Sequence, residues 1–200
     1  MISFIAIVIT YFAFSLGLPW HLLPTDFSFS YLFDLFFALI VSFIYRLPWK
    51  FRWKINKQNL IAAAEVVGFA IVCVGTIHFM EIETPFRLVN ALPWHLLLLA
   101  PVLEELIFRQ TFQRLLIHQM GGKRVTSMLV ASIFAFSHLV GLEVLPPEYI
   151  PFIGFQVFYT FILGIFCGQA LLRFHSVLAP ICLHFLFNLV FFLGIYWDII

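Results

Sequence analysis

The sequence predicts an all-α, polytopic transmembrane helix bundle of about seven spans with a cytoplasmic N-terminus. Three observations carry that expectation. Of 200 residues, 63% are hydrophobic and 10% charged, and the mean hydropathy is +1.05, a composition that excludes an ordinary water-soluble domain. The apolar residues gather into runs near the ~20 needed to cross a ~30 Å hydrocarbon core. The charged residues between those runs separate by sign.

Met1 to Leu18 is the first run. It lacks the basic start and small-residue cleavage site of a signal peptide and closes with Pro19-Trp20, so it reads as a retained span. Ser28 to Leu47 is the second and carries Asp34. A basic break, RLPWKFRWKINKQN, covers Arg46 to Asn59. Leu60 to Met80 is the third span, with Glu65 inside it, and Glu81 to Ala91 is an acidic connector. The fourth begins at Leu92 and turns amphipathic by Gln110, Gln113, Arg114 and His118. After a basic turn at Gly121-Gly122-Lys123-Arg124, Thr126 to Leu142 is the fifth. The Pro-rich Glu143 to Pro151 leads to a sixth at Phe152 to Leu172, and Val177 to Trp197 is the seventh. Gly154, Gly164, Gly168 and Ala170 in the sixth are expected close-packing positions. Cys73, Cys167 and Cys182 lie in apolar runs without metal-ligand spacing and read as free packing thiols.

If loops alternate sides, Arg46, Lys50, Arg52, Lys54, Lys57, Arg114, Lys123, Arg124 and Arg173 share one side, which carries no acid. The other side holds Asp26, Glu81, Glu83, Glu143, Glu148 and Asp198, with Arg87 its one base. The positive-inside rule makes the basic side cytoplasmic. Trp20, Trp49, Trp53, Trp94 and Trp197 fall at span ends or in the adjoining loop, as an interfacial belt would have them. The basic Trp-containing loop is suited to anionic membrane lipids, and nothing points to nucleic acid.

The fourth run, LPWHLLLLAPVLEELIFRQTFQRLLIH, holds Glu104, Glu105 and Arg109. Each ionisable residue at mid-bilayer costs ~2.5–3.5 kcal/mol, against a return of only ~0.3–0.6 from each Leu or Phe. Such a segment needs partners inside the protein. Glu105 and Arg109, four apart, pair on one helix face. Glu104 lies ~100° round and is left for another role.

Of the seven histidines, His138 and His184 are deep in spans; His21, His78, His95, His118 and His175 are not. Phe134, four before His138, packs beside its ring. A lone histidine on an apolar helix is commonly a satisfied core residue, but His184 and Asn188, four apart on one face, have little structural use there. Counted along ideal helices, Glu104 lies ~18 Å from the outer face, His138 ~18 Å and His184 ~10 Å from the inner face. Tilt of ~20° absorbs the spread, so a shared hydrated pocket is expected, with a slight bias to the cytoplasmic half.

E-E-x-x-x-R (Glu104, Glu105, Arg109), F-x-x-x-H (Phe134, His138) and H-x-x-x-N (His184, Asn188) stand complete, in order, on membrane helices. In this the chain resembles the CPBP intramembrane proteases, which include CAAX-processing and bacteriocin-processing or self-immunity (Abi) proteins. The resemblance covers about Leu92 to Trp197. It implies an N-terminal three-span accessory region at residues 1–91 and a catalytic helix bundle at residues 92–197. It also implies peptide-bond hydrolysis within or beside the bilayer, on a peptide or protein substrate that is lipidated or has a hydrophobic terminal segment. Small size and the family's breadth point to a prokaryotic inner membrane.

Two mechanisms fit the resemblance. In the favoured one, Glu104 and His138 activate a water, His184 and Asn188 stabilise the oxyanion, and Glu105 with Arg109 orients the turn; no cofactor takes part. In the other, Glu104, His138 and His184 hold Zn²⁺. The H-E-x-x-H of zincins is absent. An ion-coupled transporter is a rival from another class, though neither inverted repeats nor paired broken helices are visible. A non-catalytic scaffold or immunity protein of the same fold is a third reading. Asp34 and Glu65 are open to pairing with Arg109, lining the water path or approaching the cytoplasmic face; Asp34 receives no catalytic role, and Glu65, nearer the basic loop, can contact Lys57 or a neighbour.

Overall fold

A computed structural model describes residues 2–17, 29–51, 56–88, 95–197 and 199–200. His21, Asp26, Arg52, Lys54, Asp198 and three of the tryptophans, Trp20, Trp53 and Trp94, lie outside the described residues, as does Leu92. The described chain is helical, without strands. Helix α1 spans Ile2–Gly17, α2 Phe29–Ile44 and α3 Lys57–Phe79. Short helices α4 (Ala100–Glu105) and α5 (Arg114–Met120) flank a π-helical segment, Leu106–Gln113. Then come α6 (Lys123–Ser137), α7 (Gly141–Val144), α8 (Ile150–Phe174) and α9 (Leu178–Tyr196).

Local chemistry explains several of these boundaries. Asn56 caps α3 by accepting from the Asn59 backbone N–H at 3.0 Å. Pro151 sits in the first turn of α8, where its missing N–H costs nothing, and His175 closes that helix with φ 53°.

Among the described residues, four stretches are long and apolar enough to cross a membrane: Lys57–Phe79, Lys123–Val144, Pro147–Phe174 and Leu178–Tyr196. With this composition the protein is an integral membrane protein. Helices α1 and α2 are apolar but 16 residues each, ~24 Å at the α-helical rise.

The expected fourth span departs most from the sequence reading. It is not one continuous α-helix but a π turn (His95–Leu99), α4, the longer π segment and α5. Pro101 has no N–H to donate into the preceding turn, which loosens the ladder at that point. Within the second π segment, Thr111 Oγ1 donates to Leu106 O at 2.9 Å, five residues back. A π turn takes more residues to climb a given height, so depth counted at the α-helical rise overstates how far Glu104 lies from the outer end.

The helices surround two apolar clusters. One joins α1, α2, the π segment and α6 around Phe112, with Phe4 and Tyr11 edge-on to its ring at 6.0 and 5.6 Å. The other joins α3, α8 and α9 around Phe187, which Tyr159 meets at 5.6 Å and Phe69 at 5.8 Å. Helices α6 and α8 tie the halves together through small residues. A Cβ on Gly164 would lie 3.0 Å from Ala131 Cβ, and one on Gly168 would collide with Ser127 Oγ, so only glycine permits this approach. Ala170 is buried in the second cluster. Gly154 corrects the expectation: among the described residues, a Cβ there meets no atom within 4 Å.

The two ends of the bundle are distinct. At one, the Val177 N–H donates to Lys50 O at 3.1 Å, joining the basic break to the turn after Arg173. At the other, His78 Nδ1 donates to Ile199 O at 2.6 Å, beside Glu81 and Glu83.

Candidate active site

The acid pair of α4 straddles the seam between the apolar clusters. Glu105 is fully buried, and its Oε2 lies 3.0 Å from Arg109 Nε, the pairing that the four-residue spacing predicts. Arg109 is equally buried, and its guanidinium lies over the Phe134 ring at 5.3 Å, a cation–π contact. The sequence reading missed a second partner of Glu105: His184 Nδ1 donates to Glu105 Oε1 at 2.9 Å. One carboxylate thus serves a guanidinium with one oxygen and an imidazole with the other. A carboxylate accepts only, so Nδ1 carries the ring proton, and His184 is held as a metal-site or triad histidine is held by its outer carboxylate.

His184 Nε2 then lies 3.7 Å from Glu104 Oε2, beyond direct hydrogen bonding but facing it. Glu104 keeps 33% of its side chain accessible, whereas Glu105 keeps none. Adjacent in sequence and ~100° apart, the two carboxylates divide as the helical geometry predicts.

His138 is placed by the end of α6. There the helix tightens into a 3₁₀ turn, His138–Val140, and the His138 backbone N–H bonds to Ala135 O. Phe134 O, freed from the α-helical ladder, accepts from Ser137 Oγ at 2.6 Å and from His138 Nδ1 at 2.9 Å. A carbonyl only accepts, so Nδ1 carries the proton and Nε2 presents its lone pair. Phe134 packs edge-on against the His138 ring at 5.0 Å and the His184 ring at 5.9 Å.

Glu104, His138, His184 and Asn188 line one cavity, whose remaining wall is mostly aromatic and aliphatic, including Tyr159, Phe187, Phe191 and Ile195. A second cavity touches Glu104 and His138 from the other side. Its walls bring Tyr11 and Ser15 of α1, Asp34 of α2, and Ser137. Asp34 does not pair with Arg109; its Oδ1 accepts from Tyr11 OH at 3.0 Å. Glu65 is exposed and lines neither cavity. Gln156 of α8 lines both. It was invisible in the sequence because a single glutamine in an apolar helix has no spacing partner.

No described residue of the basic loops lines either cavity, whereas the depth count leaned slightly to the cytoplasmic half. Both extend the other way, to Phe86 and Ile195 in one case and Leu16 and Gly141 in the other. Counting residues from a helix end locates a side chain but not the opening that leads to it.

Among the described residues, no group of three or more His, Cys, Asp or Glu side chains is arranged to hold a metal ion. Cys73 and Cys167 are buried free thiols, and Cys182 is a half-buried one.

One comparison places these residues. Residues 85–190, more than half of the chain, match a family model described as type II CAAX prenyl endopeptidase Rce1-like. No curated protein and no solved structure matches. All seven motif residues lie within the match, and Glu104, His138, His184 and Asn188 line the first cavity as well.

Proposed function

The chain belongs to the type II CAAX prenyl endopeptidase Rce1-like family, and on that premise we propose that Glu104 and His138 activate a water for peptide-bond hydrolysis at the cavity they share. The family implies an intramembrane CAAX-type endopeptidase. The residue roles are our reading. The observation that carries it is the common cavity of Glu104, His138, His184 and Asn188.

In this mechanism water donates one hydrogen bond to Glu104 and another to the Nε2 lone pair of His138. As the water oxygen bonds to the scissile carbonyl carbon, Glu104 takes its proton. The developing oxyanion accepts from the Asn188 amide and from His184 Nε2 in its protonated form. Collapse breaks the C–N bond, and Glu104 returns the proton to the leaving amine. Glu105 acts on His184 alone, fixing its Nδ1–H, while Arg109 neutralises Glu105.

The aromatic wall suits a substrate whose cleaved segment is continuous with a lipidated or apolar tail. We further propose seven crossings with the N-terminus in the cytoplasm. The sign separation of the loop charges supports this, and so does the division of the bundle into a basic and an acidic end.

The deciding experiment compares protein termini in membranes from cells carrying the wild-type chain or Glu104→Ala. New termini that depend on Glu104 support the reading; identical termini overturn it. A metal chelator should leave cleavage unchanged, and stoichiometric zinc in active purified protein would replace the glutamate mechanism by the metal one.

A further inference from the structure

We infer that the catalytic cavity opens to the acidic end of the bundle and is sealed toward the basic end, so that the substrate is a segment presented on the non-cytoplasmic face. This deepens the protease reading and rests on it.

Both cavities that touch Glu104 run toward the acidic end. The first climbs from His184 and Leu163 to Phe86, in the connector after Glu81 and Glu83, and to Ile195, one residue before the end of α9. The second rises to Leu16, one residue before the end of α1, and to Gly141 in the chain leading to Glu143. No described residue of the basic loops lines either one.

The opposite direction is packed shut. All eight residues of Leu106–Gln113 are buried, and Leu115 and Leu116 continue the plug. Gln110 Nε2 donates to Pro48 O at 3.3 Å, inside the basic break, and Gln113 Nε2 donates to Gly168 O at 3.0 Å. Val177 and Ser176, beside the Lys50 contact, are fully buried as well. A chain approaching from the basic side would have to unpack Arg109, Phe112 and these amide bonds.

The loop charges then assign the faces. Arg46, Lys50, Arg114, Lys123, Arg124 and Arg173 belong to the end that the positive-inside rule retains in the cytoplasm. The open end faces away from it. The fitting substrate class is a translocated peptide or protein whose apolar or lipid-bearing stretch lies in the outer leaflet, where the aromatic wall receives it. A tail held on the cytoplasmic side meets the plug.

Single-cysteine labelling with a membrane-impermeant maleimide tests this in right-side-out and inverted membrane vesicles, with Cys73, Cys167 and Cys182 replaced by alanine. Gln156→Cys and Ser15→Cys report the cavities, and Arg173→Cys reports the basic end. In right-side-out vesicles the cavity cysteines should label about tenfold faster than Arg173→Cys, and inversion should reverse the order. Cavity cysteines that label from the same side as Arg173→Cys overturn the inference. A second arm keeps the wild-type chain and decides the matter if the alanine background does not fold. A reporter with an apolar C-terminal tail should be cut, in a Glu104-dependent way, when exported and not when retained in the cytoplasm; the opposite preference overturns the inference. Labelling needs no catalysis, so an inert protein whose cavities label from outside removes the protease reading alone. An active protein whose cavities label from the cytoplasm removes the orientation alone.

Discussion

Glu104 and Glu105 share a peptide bond and occupy opposite environments. Glu105 is sealed between Arg109 and His184, both of its oxygens engaged. Glu104, a third accessible, faces two cavities, with His184 Nε2 3.7 Å from its Oε2. The closed side of the site is built as a core is built, and the open side keeps a carboxylate in contact with cavity space. The contrast teaches that an intramembrane acid pair divides its labour by orientation: one member stabilises the architecture and the other remains available to water.

Substitutions can break that contrast. The largest effect should come from Glu104→Gln, which keeps the shape and removes the proton acceptor. Turnover should fall by ~10²–10⁴-fold with the thermal unfolding midpoint in detergent unchanged. A large loss of midpoint would instead place Glu104 on the structural side.

Arg109→Met should act in the reverse sense, on stability first. It leaves Glu105 buried beside an imidazole alone, and breaking a buried pair costs ~3–5 kcal/mol. Adding Glu105→Gln should recover much of that stability, read by unfolding in denaturant. It should not recover full turnover, since His184 loses its orienting carboxylate. Full recovery of turnover would mean that Glu105 serves only Arg109.

Away from the acids, Gly168→Ala forces a methyl into Ser127 and should destabilise the α6–α8 contact by ~1–3 kcal/mol. The matched control, Gly154→Ala on the open stretch of α8, should stay within ~0.5 kcal/mol of wild type. Equal effects would mean that the small-residue contact does not hold the two halves together. Between those two lies Tyr11→Phe, which removes the hydrogen bond to Asp34 and should cost about 0.5–1.5 kcal/mol.

Much of this could be read before any coordinates. The apolar runs marked the helices, and the four-residue spacings of Glu105 with Arg109, Phe134 with His138, and His184 with Asn188 named the face each pair would share. Spacing within one helix is local and survives any packing. Contacts between helices have no such signature. Nothing in the order of residues showed that His184 would reach back to Glu105, or that Tyr11 would join Asp34 in walling a cavity beside Glu104. The π-helical course of Leu106–Gln113 was also hidden, because the α-helical period fitted its one ion pair equally well.

The sequence by itself determined a helical membrane protein, the sign of its two ends, and which polar residues had to find partners in a medium without water. That follows from the cost of placing charge in hydrocarbon, which applies to any fold this chain could adopt. Only the tertiary structure decided that His184 would engage the second oxygen of Glu105, which histidine nitrogen faced the cavity, and toward which end the cavity ran. Those outcomes depend on how whole helices stack, where Gly164 and Gly168 let α6 and α8 approach and where Phe112 fills the space beneath the acids.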